Sequence, residues 1–431
     1  MARPRRNRTG RPGRPQTPPP ILRRRASEPF EGADLLEEIS REQGALALWQ
    51  ALRDVLLWAF AAPGERREGL FAVDAQWTAA ALQEGAEMDA EISLPLHELF
   101  AVCISPGTVK PEPLVDSCQR ISRWAEEKGL PRAALAYAYA AAVISPGAPE
   151  HAYRVGLLSR KEADHARGEA WFRRAIGLAR RNRDVPLQTT ALLSLGNLFV
   201  WRGDYQRAEM AHRKALRLAR RHGLRELRGK ALHDLCVVAF ETGQFEKAER
   251  YAYQACKVYR PGHPKLPVLA HDVAVLWLLQ GKFHYALQAF KAVLPMMKSQ
   301  GEQIWVLGTT AHAAGGARLK EEFTSVWMQA WRSIDSHPAS ESTGPALLNL
   351  AFGAAYLEDW ERVEMAASLA MAVAVRRQEA RVRTEAEMLL EMVRTHSMPA
   401  DGISSCFPAR DGEVGDELAT WLLEALGSMH G

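Results

Sequence analysis

Apolar residues between about 115 and 377 recur at helical spacing, and the helical stretches come in pairs. Three connections between paired stretches share one pattern, Gly-x-aromatic-x-x-Ala. They are Gly203-Asp204-Tyr205 to Ala208, Gly243-Gln244-Phe245 to Ala248, and Gly281-Lys282-Phe283 to Ala286, spaced by 40 and 38 residues. The pattern predicts helix hairpins. Glycine closes the first helix in a left-handed conformation that has no Cβ clash. The aromatic opens the second helix and packs back on its partner, and alanine lets the two axes approach. Prolines at or beside several predicted starts (Pro113, Pro149, Pro186, Pro267, Pro345) suit helix N-termini.

The flanks follow the same periodicity less regularly. Residues 33–62 read as one or two apolar-faced helices and residues 70–104 as two more, forming an N-terminal cap or diverged repeats. Arg381 to Arg394 reads as a closing helix. A loop rich in Gly, Ser and Pro runs from His396 to Gly415. A last amphipathic helix follows, with Leu418, Trp421, Leu422, Ala425, Leu426 and Met429 on one stripe. Two destinations for that stripe are predicted, a cap on the last unit or a competitor inside the groove. The expected organisation is a tail over 1–30, a helical region over 31–114, a repeat array with closing helix over 115–395, and a loop with terminal helix over 396–431.

These residues resemble the tetratricopeptide repeat. The family's Leu-Gly-x-x-aromatic step appears as Leu195-Gly196-x-x-Phe199, and its Ala-x-x-x-aromatic step as Ala286-x-x-x-Phe290. In that register seven units begin near Val115, Pro149, Thr189, Gly229, Pro267, Ile304 and Gly344, most of them longer than the family's 34 residues. The Ile304 unit places Gly315 and Gly316 in its turn region, and the Gly344 unit has Glu358 where the turn glycine belongs. The resemblance implies an all-α fold, an α-solenoid of stacked helix–turn–helix units wound as a right-handed superhelix. The long units are similar to repeat domains of bacterial regulatory proteins that sense peptides or assemble signalling complexes.

The resemblance also implies a concave groove lined by the first helices and filled by a protein or peptide. The family's inner-face positions carry over to Tyr153, Arg154, Leu157, Leu193, Asn197, Trp201, His233, Asp234, Val237, Phe240, His271, Asp272, Val275, Trp305, His312, Asn349 and Phe352. The set suits an amphipathic helix or an extended segment with apolar anchors. The clamp that chaperone-binding members close on a C-terminal carboxylate is not reproduced. Asn197 matches one clamp position, but Leu193, Asp234, Val268 and Asp272 stand at the others.

Composition narrows the function further. The 431 residues are 25% charged and 47% apolar, which excludes global disorder, and the most apolar stretch, Leu46 to Ala62, is broken by Arg53 and Asp54. Five cysteines without a Cys-x-x-Cys pair argue against a disulfide framework or zinc knuckle and for a reducing, cytoplasmic compartment. The net charge of +4 divides unevenly. Residues 1–27 hold nine arginines, six prolines and no acid, leaving 46 basic against 51 acidic residues in the remainder. That tail reads as disordered, and its arginines (3–25) are a candidate tether to nucleic-acid phosphates. Its Gly-Arg-Pro steps resemble a minor-groove hook interrupted by Pro12, and Arg23-Arg24-Arg25-Ala26-Ser27 resembles a basophilic kinase site. The 43 arginines against 12 lysines suit a GC-rich, bacterial genome. A homo-oligomer is compatible with the sequence.

No catalytic signature is present: no HExxH, no Walker loop, no Gly-x-Ser-x-Gly elbow. No cofactor, metal or catalytic residue is assigned. His233-Asp234 and His271-Asp272 occupy equivalent places in successive first helices, and His312 follows one unit later. A polar inner stripe explains them more simply than a metal site does. Trp171, Trp277, Trp327 and Trp360 fall at core register, whereas Trp201 and Trp305 fall closer to the inner face.

Overall fold

The computed structural model describes residues 31–40, 42, 44–61, 71, 90–337, 340–396 and 413–427. The arginine tail, its kinase-site pattern, residues 72–89 and most of the 396–415 loop lie outside the described residues. Nineteen α-helices and no strand occur among the described residues, and none of these helices is long and apolar enough to cross a membrane. Contacts divide the chain into two compact units, 1–182 and 183–431.

In the first unit, α1 (Glu31–Ile39), α2 (Ala45–Phe60) and α3 (Ala90–Ile104) precede two hairpins. These are α4 (Pro111–Glu127) with α5 (Pro131–Ile144), and α6 (Pro149–Lys161) with α7 (His165–Asn182). Helices α1 and α2 pack on α5, and α3 packs on α4. Three polar contacts fix this join. The Tyr137 hydroxyl donates to the Leu48 carbonyl at 2.6 Å, and the Trp58 indole donates to the Pro106 carbonyl at 2.8 Å. Glu38 of α1 accepts from the backbone of Arg132 and Ala133 at 3.0 and 2.8 Å. The carboxylate thereby caps α5, whose own N-cap, Leu130, offers no side-chain acceptor.

The second unit is five hairpins in series: α8 (Val185–Trp201) with α9 (Tyr205–Arg221), α10 (Arg225–Glu241) with α11 (Phe245–Tyr259), α12 (Leu266–Leu279) with α13 (Phe283–Val293), α14 (Gln300–Gly316) with α15 (Lys320–Ser336), and α16 (Thr343–Tyr356) with α17 (Trp360–Arg377). Helix α18 (Ala380–Thr395) closes the stack on α16 and α17. First helix touches first helix throughout, from α8 to α18, so the first helices form the inner layer. The layer curves far enough for Arg381, at the start of α18, to pair with Glu241, at the end of α10, at 2.5 Å. The Tyr205 hydroxyl donates to the other oxygen of Glu241 at 3.1 Å.

One turn geometry repeats in both units. Gly203, Gly243 and Gly281 have φ of 71°, 70° and 73°, and Ala208, Ala248 and Ala286 are fully buried, as the sequence pattern requires. Ala163, Arg318 and Glu358 take the same conformation at φ of 57°, 58° and 58°. At all six sites the next backbone N–H reaches back five residues to the first helix, as Asp204 does to Phe199 at 2.9 Å. Asp164, Asp204 and Asp359 then accept from the N–H three residues on and start the second helix.

Two expectations are corrected. Gly315 and Gly316 are not turn residues: both are helical, and the α14 turn falls at Arg318. A Cβ on Gly315 would collide with the backbone of Gly353, and one on Gly316 with the ring of Phe283. Helix α19 (Glu413–Gly427) buries Leu418, Leu422, Ala425 and Leu426 as its stripe predicts, with Trp421 half-buried. It packs on α11 and α13, two second helices, and so neither caps the last unit nor enters the inner face.

Candidate functional site

The inner layer of the second unit carries a row of polar side chains on α10 to α16, with His212 of α9 behind it. Its centre is Asp272 on α12. The His233 ring of α10 donates from Nε2 to Asp272 Oδ2 at 2.5 Å, and His271 Nδ1 lies 3.3 Å from Oδ1. His271 Nε2 is 3.0 Å from the Thr309 hydroxyl of α14, and the Trp305 ring sits over the His271 ring at 3.9 Å between centroids. Burial alone would raise the Asp272 carboxyl. The hydrogen bonds and charges of His233 and His271 outweigh it and hold the group down at about 2. For His233, burial works against the charged ring, yet the bond to Asp272 and the carboxylates of Asp272 and Asp234 raise its pKa. Both shifts describe one ion pair, imidazolium on carboxylate.

Two further histidines flank it. His312 of α14 is buried, donates from Nδ1 to Asn349 Oδ1 at 2.9 Å, and stacks on Phe352 at 5.3 Å. Burial pushes its pKa down to about 4, so the ring is neutral at pH 7. The Asn349 amide donates to the Pro345 carbonyl at 2.9 Å, which fixes the direction of the side chain. His212 of α9 is fully buried, with Nδ1 3.7 Å from Asp234 Oδ2. Gly196 of α8 makes room for it, because a Cβ there would meet His212 Nδ1 at 2.6 Å. Burial lowers the His212 pKa, partly opposed by Asp234.

The predicted face therefore divides by depth. His233, His271, His312 and Phe352 are buried between helices. Asn197, Trp201, Asp234, Phe240, Asp272, Trp305 and Asn349 are half-buried, and they form the accessible part. Tyr153 and Arg154 belong to the other unit. There Arg154 pairs with Glu126, which also accepts from Lys161 at 2.5 Å. Burial works to raise Glu126, but the hydrogen bond of Lys161 and the charges of Arg154 and Lys161 lower it overall. Trp171, Trp277 and Trp327 are buried as expected, and Trp360 is half-buried. Among the described residues no group of three or more His, Cys, Asp or Glu is placed to hold a metal ion.

Sequence reasoning missed His212 and Thr309. His212 lies on a second helix, outside the set of inner positions considered. Its one sequence signal is a histidine four residues after the buried Ala208, on the same helix face.

A tetratricopeptide-repeat family model matches residues 189–222, most of α8 and α9. No curated protein gives a significant match. Among solved structures, the chain is similar to the Rap conjugation gene regulator of plasmid pLS20 in complex with the Phr* peptide, at 13% identity over 85% of this chain and 96% of that one, TM-score 0.46. It is similar to aspartyl phosphate phosphatase F from Bacillus subtilis at 12% identity over 89% and 97%, TM-score 0.45. The Cut9–Hcn1 hetero-tetramer of the APC/C gives 13% identity over 83% and 58%, TM-score 0.43.

Proposed function

We propose, taking as premise that this chain is a tetratricopeptide-repeat protein, that it is a non-enzymatic adaptor that binds a protein or peptide segment along the inner face of residues 183–431. The observation that carries this reading is the arrangement of accessible polar groups over buried histidines. Asp272 is held by His233 and His271, Asn349 by His312, and Asp234 stands beside His212. A polar group whose direction is set from beneath loses little freedom when it bonds a ligand, so more of the contact energy appears as affinity. Trp201, Trp305 and Phe240 are the apolar anchors between these groups.

The occupant is an extended segment rather than a helix. The Arg381–Glu241 pair brings α18 to the end of α10, and an α-helix with side chains is about 10–12 Å across. An extended chain also presents backbone N–H groups to Asp234 and Asp272, which a helix has already used.

Site-specific photo-crosslinking tests the reading in full-length protein. Benzoylphenylalanine replaces Val237 or Val275 on the inner layer, or Met328 on the exposed side of α15, and adducts from source-cell extract are identified by mass spectrometry. The two inner positions are expected to capture the same partner, and Asp234→Ala to lower that capture about tenfold or more, the loss of one charge-assisted hydrogen bond. Equal capture from Met328 would refute the inner face as the binding surface.

A further inference from the structure

Outside the inner face, charge is distributed unevenly over the second helices. Between Arg167 and Lys230 the chain holds sixteen basic and five acidic residues, within a body that is net acidic once residues 1–27 are set aside. The excess is concentrated on α9, which has Arg207, Arg213, Lys214, Arg217, Arg220 and Arg221 against one acid, Glu209. Its buried stripe, Ala208, Ala211, His212, Ala215, Leu216 and Ala219, turns the five cations from 213 onward to solvent, and all five are exposed. The other acid-bearing second helices of this unit are mixed: α11 interleaves Glu246 and Glu249 with its cations, α15 carries Glu321, Glu322 and Asp335, and α17 sets Glu361 and Glu364 against Arg362, Arg376 and Arg377.

Helix stability accounts for only part of this. Arg220 and Arg221 occupy the last turn, where the helix dipole favours cations, and Arg213 pairs with Glu209 at 3.0 Å. Lys214 and Arg217 have neither explanation. They lie mid-helix and form no ion pair among the described residues. Arg228 opens α10, the end of a helix where a cation is disfavoured, whereas Arg225 beside it has a structural partner, donating to the Val258 carbonyl at the end of α11 at 3.2 and 2.9 Å.

We propose that this ridge docks the phosphate backbone of a nucleic-acid duplex, without reading sequence. Lys214 and Arg217 are its central contacts. Three features select this occupant. Arginine dominates, and its guanidinium matches phosphate oxygens in a two-pronged fork. From 213 to 221 the exposed cations are interleaved with no exposed aromatic or aliphatic side chain. The row's one exposed apolar neighbour is Met210, a turn before Arg213 on the same face. A protein hot spot, an inserted membrane helix or a single-strand stacking platform each needs such anchors. Finally, residues 213 to 221 extend about 12 Å, room for three to four phosphates of one strand. In the 1–182 unit, α7 separately exposes Arg173, Arg180 and Arg181. This surface is distinct from the inner face and does not depend on the adaptor reading.

The test is fluorescence anisotropy of a labelled 20-base-pair duplex of arbitrary sequence, titrated with full-length protein across a salt series. Three proteins are compared: the natural chain, Lys214→Glu/Arg217→Glu, and a full-length chain with the nine arginines of residues 3–25 replaced by glutamine. The natural chain should bind with a steep salt dependence. The ridge variant, with unchanged melting temperature, should bind roughly 10- to 100-fold more weakly, with a salt slope shallower by about 2. The tail-substituted chain should keep the ridge-dependent part of both. The proposal is overturned if the ridge variant matches the natural chain in affinity and slope, or if substituting the tail abolishes binding. Competition by poly-glutamate or anionic vesicles as effective as that by unlabelled duplex would equally overturn it.

Discussion

Two seams between neighbouring first helices of the 183–431 unit are built on opposite principles. Between α14 and α16 the backbones meet directly, because Gly308, Gly315 and Gly353 have no side chain. A Cβ on Gly308 would lie 2.8 Å from Ala346 Cα, and one on Gly353 would lie 2.6 Å from the Ala311 carbonyl oxygen. Between α10 and α12 the helices instead hold the His233–Asp272–His271 chain between them. The first seam obtains its stability from closeness and admits one polar pair, His312–Asn349. The second accepts the desolvation of two imidazole rings and one carboxylate, and keeps polar atoms at the inner surface. On the proposed adaptor reading, the larger share of polar contacts falls at the second seam and the close packing at the first.

The sharpest way to break the comparison is to add one carbon to the close seam. Gly315→Ala drives a Cβ into the Gly353 backbone, which cannot swing aside as a flexible side chain would, and should cost about 3 kcal/mol in chemical denaturation. Gly177→Ala on α7 is the control. Nothing lies within 4 Å of its Cβ, so the better helix former should gain roughly 0.5–1 kcal/mol. If both substitutions shift the midpoint alike, close backbone approach is not what holds α14 to α16.

The polar seam should fail differently. Asp272→Ala removes the carboxylate that holds His233 and His271, leaving buried ring nitrogens without their acceptor, and should cost roughly 2–3 kcal/mol at pH 7. The loss also depends on pH. The Asp272 pKa of about 2 lies below its unfolded value, so its contribution is complete above ~4 and disappears as pH falls toward 2. The His233 pKa is raised, so its contribution is complete below ~6.5 and fades as pH rises through the raised value. Denaturation of natural and Asp272→Ala protein between pH 3 and 9 should show the largest gap between these limits. A gap independent of pH would remove the ion pair from the account.

His312 gives a third, smaller test on the opposite side of neutrality. With a folded pKa of about 4, it contributes stability above ~6.5 that is lost on acidification, because only the unfolded state takes up the proton. Below pH 6.5 this one group should remove up to about 1.4 kcal/mol per pH unit. His312→Asn should flatten that slope while lowering stability at pH 7 through the lost stacking on Phe352. An unchanged acid slope would assign it to other groups, His212 first among them.

These contrasts also mark what the sequence could and could not reveal. The hairpin array was legible because Gly203, Gly243 and Gly281 repeat beside an aromatic and an alanine, and each has a single physical cause. Gly315 and Gly316 misled because a glycine that permits close helix packing looks, in one dimension, like a glycine that permits a turn. The α19 stripe announced which side chains would be buried, but not on what, since an amphipathic face fits any apolar groove. The depth of His233, His271 and His312 was equally hidden. The helices of His271 and His312 are apolar nearly all round, and α10 scatters its charges without a clear stripe, so periodicity could not separate a residue at the inner surface from one between helices. The charge excess on α9 was present in the composition but was masked by summing over the whole body.

The turns without glycine provide the smallest and most specific test. Arg318 and Glu358 occupy the left-handed position that Gly203, Gly243 and Gly281 fill elsewhere, with φ of 58° at both. A side chain there costs about 1–2 kcal/mol in Cβ–carbonyl crowding, while glycine costs about 0.5–1 kcal/mol more chain entropy on folding. Arg318→Gly and Glu358→Gly should therefore each raise stability, by up to about 1 kcal/mol. Because these turns join first helix to second within one hairpin, the gain should be the same at pH 5 and pH 7, and it should add to the loss from Asp272→Ala. A decrease would mean that the Arg318 or Glu358 side chain stabilises its turn by more than the backbone strain it causes.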